Sequence, residues 1–128
     1  MSEVLAKDVM IRNIHTIGPE EKIVLTRLKM LRYSVGALPV VKDDNILVGI
    51  LTLRDISFVG MDVGNLAVKD LMTKENLITG TERTTLIKVA DMMIKTGIQR
   101  IPILDDEGKL VGLMTQSILI RSFRDLFK

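Results

Sequence analysis

Apolar residues along the chain form short continuous runs that occur in pairs. The paired runs are Leu38–Val41 with Ile46–Leu51, and Ile101–Leu104 with Leu110–Met114. Runs this short and this apolar are typical of strands that are covered on both faces. The polar connections 42–45 and 105–108 end in Asn45 and Gly108, the residue types that best tolerate the positive φ of a tight turn. The pattern therefore predicts two strand pairs, each joined by a tight turn.

Helical spacing precedes each strand pair. The stretch 18–20 (GPE) resembles a helix entrance, with proline at an early position and an acid in the first turn. The apolar stripes that follow are Ile23, Leu28 and Leu31 in the first half, and Leu86, Val89, Ala90 and Met93 in the second. A brief strand is expected before each helix, at Ile14–Ile17 and Leu77–Thr79, and a last helix after Thr52 and Thr115. Each half is thus predicted to be strand–helix–strand–strand–helix.

The two halves are copies of one unit. AKDVM at 6–10 recurs as VKDLM at 68–72, and LVGILT at 47–52 recurs 63 residues later as LVGLMT at 110–115. We expect one module over residues 1–128, with repeats at 6–60 and 66–123. An isolated repeat would leave much of its apolar sheet exposed to solvent. Two repeats packed about a pseudo-two-fold axis would cover each other and leave paired clefts where they join.

Composition narrows the function classes. The chain has 128 residues, 47% of them hydrophobic, and no cysteine, which excludes disulfides and thiolate zinc sites. No stretch approaches the ~18–20 apolar residues of a membrane span, and a cytoplasmic location is expected. The formal net charge is only +2 and four residues are aromatic, so nucleic-acid binding is poorly supported.

The motif TLRD (52–55) carries the candidate chemistry. Thr52 stands where a strand passes into a helix, so its hydroxyl can cap the first turn. Asp55, three residues on, offers two acceptor oxygens to a ligand such as the adjacent hydroxyls of a ribose. The same spacing also fits a capping box, and spacing alone leaves both roles open. The second repeat keeps Thr115 but has Ile118 at the matching position, which favours a ligand role for Asp55.

From about Ala6 to Leu119 the chain resembles a CBS-domain pair, or Bateman module. The resemblance rests on the AKDVM or VKDLM entrance, the apolar–Pro–apolar strand, the aspartate-bearing turn and the G-x-x-T motif, which occur in the same order in both repeats. It implies an α/β (α+β) fold of tandem repeats, frequent dimerisation into a flat disc, and adenine-nucleotide or related adenosyl ligands between the repeats. It does not imply catalysis.

The resemblance also implies positions for the ligand. Asp55 would hold the ribose beside Thr52, and Arg54 and Arg100 would face the phosphates unless they are ordinary exposed arginines. The base and sugar would be lined by residues of the first short strand and of the strand before the proline: His15, Thr16, Ile17, Ala37, Leu38 and Pro39. Ile118 cannot accept from a ribose, so the second cleft should bind a nucleoside at least ~100-fold more weakly.

We therefore expect a regulatory module that senses an adenine nucleotide and signals to an unknown regulated protein, since no effector domain is present. AMP is favoured and ADP or ATP are possible. The alternatives are a ligand-free dimerisation or scaffold module, and a binder of S-adenosylmethionine or NAD. No enzyme is expected, because the sequence has no G-x-S-x-G motif, no P-loop and a lone histidine. No metal site and no catalytic cofactor are expected either.

A homodimer is expected from the carboxy-terminal tail. Large apolar residues recur there at helical spacing: Ile118, Leu119, Phe123, Leu126 and Phe127. They can pack against their own domain or form the seam between two copies, where large apolar side chains are favoured. The concentration of phenylalanine in this short tail favours the seam.

Overall fold

The computed structural model describes residues 3–60 and 64–127. The helices are α1 (Ala6–Val9), α2 (Ile23–Tyr33), α3 (Leu53–Ser57), α4 (Val68–Leu71), α5 (Leu86–Thr96) and α6 (Gln116–Leu126). The strands are β1 (Ala37–Lys42), β2 (Ile46–Thr52), β3 (Gly80–Thr81), β4 (Arg100–Leu104) and β5 (Leu110–Thr115). They form two compact units: unit I is His15–Leu77, and unit II combines residues up to Ile14 with those from Ile78 onwards.

Unit I is built on an antiparallel pair of strands. β1 and β2 pair from Ala37 opposite Thr52 to Lys42 opposite Ile46, and Ile17 adds a parallel bridge to Val40 on the other side of β1. A 3-10 turn at Asp43–Asn45 joins the two strands. Asn45 has a φ of 64°, as its place in the predicted tight turn requires. Of the brief strand predicted at Ile14–Ile17, only Ile17 pairs.

Unit II has a three-stranded sheet in the order β3-β4-β5. β3 runs parallel to β4, and β4 pairs antiparallel with β5 around a turn in which Gly108 has a φ of 81°. The brief strand predicted at Leu77–Thr79 is wrong in position, since β3 begins at Gly80. A side chain at that position would crowd β4, because a Cβ on Gly80 would lie 3.1 Å from Cδ1 of Ile103. The pairing therefore falls where the backbone can approach most closely.

The short first helix of each sequence repeat, α1 or α4, packs in the unit that the other repeat mainly forms. Val68 of α4 is completely buried in the core of unit I, and Ala6 of α1 is completely buried in the core of unit II. Met72, which follows α4, lies over Gly49 of β2, where an added Cβ would stand 2.6 Å from its Sδ. A β-bridge between Ile50 and Thr73 fixes this arrangement. The sequence repeats and the compact units thus differ by an exchange of their first segments.

The apolar stripe predicted on α2 is wrong for two of its three residues. Ile23 is buried as expected, but Leu28 and Leu31 are 57% and 69% exposed. The inward face is formed by Ile23, Thr26 and Met30, and the Thr26 hydroxyl donates to the Lys22 carbonyl at 3.1 Å. Since α2 carries apolar residues on two faces, helical spacing could not decide which face is inward.

The stripe predicted on α5 is confirmed, and burial on both faces is confirmed for β1 and β4, whereas residues of β2 and β5 alternate between buried and half-buried along most of each strand. Leu86, Val89 and Met93 of α5 are buried in the core of unit II. The consecutive residues Leu38, Pro39 and Val40 of β1 are all buried, and so are Ile101, Pro102 and Ile103 of β4.

The tail helix α6 uses most of its apolar residues within its own unit. Leu119 is buried, and Ile118 and Phe123 pack against the core of unit II. Of the five residues of the predicted seam, Leu126 and Phe127 are free of it, 57% and 87% exposed. The seam predicted from all five residues is therefore wrong for the first three, because the core of unit II already covers them. Within the described ranges, no helix is long and apolar enough to span a membrane.

Candidate functional site

The candidate site in unit I is organised by a complete capping box at the start of α3. The Asp55 amide donates to Oγ1 of Thr52 at 3.1 Å, and the Thr52 amide donates to Oδ2 of Asp55 at 2.9 Å. Thr52 is the last residue of β2, so the sheet fixes the backbone from which the helix begins. The capping role that spacing left open is therefore realised, and it locks the orientation of the Asp55 carboxylate.

The second oxygen of that carboxylate remains available. Among the described residues, none hydrogen-bonds Oδ1 of Asp55, and no side-chain nitrogen or oxygen there is both buried and unpaired. Oδ1 of this half-buried residue is therefore reachable from solvent. The Thr52 hydroxyl also keeps its own hydrogen, because it accepts in the cap. Asp55 can thus cap α3 and bind a ligand at the same time.

Unit II shows the same helix entrance without the acid. The Ile118 amide donates to Oγ1 of Thr115 at 3.2 Å, and α6 begins at the equivalent position. The Ile118 side chain packs against the core of its unit instead of closing a capping box. The expectation that the fold tolerates this entrance without an aspartate is confirmed, so Asp55 is not required to start the helix.

The residues predicted to line the base differ in how accessible their side chains are to a ligand. Ile17 and Leu38 are each only 2% exposed, so their side chains belong to the core of unit I. The Ile17 amide donates to the Pro39 carbonyl, and the Ile17 carbonyl accepts from the Val41 amide. These buried residues frame the end of the sheet. His15 is exposed and both Thr16 and Ala37 are half-buried, so these three can present side chains to a ligand.

The two predicted phosphate ligands lie in different units. Arg54 is the second residue of α3 and is exposed beside the capping box. Arg100 is half-buried at the start of β4 in unit II, opposite Thr115, where it takes the place that Ala37 has opposite Thr52 in unit I. Its contact with a phosphate stays a prediction.

Sequence reasoning missed an aromatic pair in unit I. The His15 and Tyr33 rings are stacked, with centroids 3.7 Å apart and planes inclined by 11°. His15 precedes the bridge at Ile17, and Tyr33 is the last residue of α2. The two residues do not share a helix or strand, so no periodic pattern within one element links them and only the fold brings the rings together.

Other carboxylates near helix entrances have structural duties. Asp70 accepts from the Ala67 amide at 2.9 Å, and Asp8 accepts from the Leu5 amide at 2.9 Å. Glu21 accepts from the Gly18 amide at 2.7 Å and from Nζ of Lys29 at 2.6 Å. The described part of the chain holds no group of three or more His, Cys, Asp or Glu side chains suited to a metal ion.

Comparison with known families agrees with the architecture. The sequence model of the CBS domain matches residues 6–61 and 68–125. The chain belongs to the CBS-domain family. It is 37% identical over 112 residues to inosine-5'-monophosphate dehydrogenase of Aquifex aeolicus, and 38% identical over 114 residues to that of Thermoplasma acidophilum. Each alignment covers 88% of this chain but only 23% and 22% of those enzymes, so the chain spans about a fifth of these relatives.

Solved CBS pairs share the fold over nearly the whole chain. The structure of CBSX2 in complex with AMP superposes with a TM-score of 0.85 at 25% identity, covering 97% of this chain and 98% of that one. The CBS domain pair of protein MJ0100, in complex with 5'-methylthioadenosine and S-adenosyl-L-methionine, gives 0.84 at 27% identity with the same coverage. The predicted α+β fold of tandem CBS repeats is thereby confirmed.

Proposed function

We propose that this CBS pair is a regulatory module that binds an adenine nucleotide at the Thr52–Asp55 capping box of unit I. The observation that carries the proposal is the Asp55 carboxylate, which is oriented through Oδ2 and open at Oδ1. The complexes of CBSX2 with AMP and of MJ0100 with adenosyl compounds support the ligand class. AMP is the favoured ligand, ADP and ATP are possible, and S-adenosylmethionine or NAD is the alternative.

The geometry suits the diol of a ribose. A carboxylate oxygen accepts charge-assisted hydrogen bonds, each worth about 1.5–3 kcal/mol, and the two ribose hydroxyls are adjacent donors. Because the cap already fixes the Asp55 side chain, binding costs little further rotamer entropy. The exposed guanidinium of Arg54 can accompany a phosphate beyond the sugar.

Signalling then follows from unequal affinity for two conformations of the module. A ligand shifts such an equilibrium only by the difference in its affinity for the two states. Contacts at α3, a helix of five residues, would stabilise that helix in the state that binds the ligand. We propose that a partner protein reads this change.

Ligand titration of the whole chain tests the function. Thermal melts with AMP, ADP, ATP, S-adenosylmethionine and NAD should show a higher Tm with the true ligand. At a ligand concentration of 100 times its Kd, binding should stabilise the folded chain by about 2.7 kcal/mol. Calorimetry should give one strong AMP site per chain, because Ile118 replaces the acid in unit II. Two equal sites per chain would contradict the asymmetry, and no shift with any of these compounds would favour a scaffold.

A second function, homodimerisation, is favoured by α2. Its outer face carries apolar residues that are 43% to 69% exposed: Val24, Leu25, Leu28 and Leu31. Such a face is typical of an interface between copies. Leu28→Glu should dissociate the dimer in sedimentation experiments, whereas Leu126→Glu, with the same 57% exposure on α6, should leave it intact. The reverse result would place the dimer interface on α6.

A further inference from the structure

The stacked rings of His15 and Tyr33 are not core residues. His15 is exposed and Tyr33 is 39% exposed, and neither belongs to the buried cluster of unit I. No described residue hydrogen-bonds the His15 imidazole. Two planar side chains are thus held face to face at the surface, so the stack presents an aromatic face to solvent.

The topology of unit I places the stack at the same end of the sheet as the capping box. Ile17 pairs in parallel with Val40, so the chain before Ile17 runs back towards the beginning of β1. Tyr33 ends α2 and leads through a short connection into Ala37, the first residue of β1. Ala37 in turn pairs with Thr52. The aromatic pair and the Asp55 carboxylate therefore lie at the same end of the β1–β2 sheet.

The second repeat has neither the ring pair nor the aspartate. At the positions 63 residues further on, Ile78 stands for His15, Thr96 for Tyr33 and Ile118 for Asp55. Ile78 and Ile118 pack against the core of unit II, and the Thr96 hydroxyl donates to the Met92 carbonyl at 2.7 Å. The ring pair and the acid are thus confined to the same unit, as expected if they serve one ligand.

We infer that Tyr33 is a positioning residue: it holds the His15 ring flat as the stacking surface for the base of the nucleotide bound at Asp55. This inference rests on the proposed function. Planar rings attract one another in offset stacks, and the dispersion part of that attraction grows with the number of atoms in contact. A purine offers more overlap than a pyrimidine, so the stack selects purine nucleotides.

The test compares AMP with CMP, which share the ribose and the phosphate. In calorimetry on the full chain, Tyr33→Leu should weaken AMP about two- to tenfold and CMP by a smaller factor, so that the preference for AMP falls. Tyr33→Phe keeps the ring and should bind as the wild type does. Thr96→Leu, at the matching position of unit II, is the control and should change neither affinity.

Tyr33 also supplies its own signal, because the chain has one tyrosine and no tryptophan. AMP should change this fluorescence in the wild type and should no longer do so in His15→Ile, which places the residue of unit II in unit I. Should Tyr33→Leu fail to fold, His15→Ile gives the affinity test from the other ring. Unchanged AMP binding in the ring variants, or equal losses for AMP and CMP, would overturn the inference while leaving the nucleotide site intact. A wild type that binds no adenine nucleotide would instead defeat the proposed function.

Discussion

Replacing Asp55 by alanine removes a helix cap and a ligand group in one step, and a matched variant separates the two. Asp70 accepts the same kind of capping bond in the same unit: at the start of α4 the Ala67 amide donates to its Oδ2 at 2.9 Å. Asp70→Ala therefore reports the cost of a lost cap without touching the predicted ligand. Asp55→Asn provides a third comparison, since its amide oxygen can still accept from Thr52.

The stability cost follows from the hydrogen bonds. Loss of a helix cap costs about 0.5–2 kcal/mol, typically near 1. In Asp55→Ala the half-buried Thr52 amide loses its acceptor, whereas Thr52 Oγ1 still accepts from the amide of residue 55. We expect a loss of about 1 kcal/mol, or roughly 3–5 °C in Tm, with a similar or smaller loss for Asp70→Ala at its exposed site. Asp55→Asn should melt close to the wild type.

The affinity cost falls on Asp55 alone. Losing one charge-assisted hydrogen bond, worth about 1.5–3 kcal/mol, should weaken AMP by roughly 10- to 150-fold in Asp55→Ala. In Asp55→Asn the amide oxygen serves the cap, so an uncharged NH₂ group takes the place of Oδ1. AMP binding should then fall about tenfold although the fold is intact. Asp70→Ala should bind AMP as the wild type does.

The assay is isothermal calorimetry with AMP, paired with thermal melts of the three variants. The informative result is a variant in which only one of the two quantities, Tm or AMP affinity, changes. If Asp55→Ala loses stability but binds AMP with wild-type affinity, Asp55 is a helix cap and nothing more. If Asp70→Ala loses AMP as strongly as Asp55→Ala, the loss reflects damage to unit I as a whole.

Two further predictions concern the backbone at left-handed and closely packed positions. Ser34 ends α2 in the left-handed region with a φ of 54°, and Gly97 ends α5 at the matching position with a φ of 76°. In chemical denaturation, Ser34→Gly should raise the free energy of unfolding by about 0.5–1 kcal/mol and Gly97→Ala should lower it by about 1 kcal/mol. Changes of the same sign in both variants would refute the strain argument. Gly49→Ala should destabilise by about 1–3 kcal/mol, because its Cβ would lie 2.6 Å from Sδ of Met72 and 2.9 Å from the Thr73 carbonyl oxygen; a neutral result in the same assay would show that residues 72–73 do not pack on β2.

The hairpins and turns could be predicted from local sequence because local forces decide them. The apolar runs become β1, β2, β4 and β5 to within a residue, and Asn45 and Gly108 adopt the positive φ that their types allow. The buried strands have one interpretation, since an apolar run has no polar face to misplace. The repeated order of these elements was sufficient to indicate the CBS family.

Features set by tertiary packing could not be predicted. α2 is apolar on two faces, and only the packing of Ile23 and Met30 into unit I shows that Leu28 faces outward. The exchange of the entrance helices is equally invisible, because AKDVM and VKDLM are nearly identical and either could pack on either sheet. At the site, the Thr52–Asp55 spacing gave the chemistry, whereas the stack of His15 on a distant side chain needed the fold.

The central claim is that the Asp55 carboxylate recognises the vicinal diol of the sugar. Calorimetry of AMP and 2'-deoxy-AMP against the wild type and Asp55→Ala tests it most directly, because the deoxy sugar lacks one hydroxyl and the variant lacks its acceptor. We predict at least about tenfold discrimination against the deoxynucleotide in the wild type and none in the variant. The same discrimination in both proteins would contradict the account.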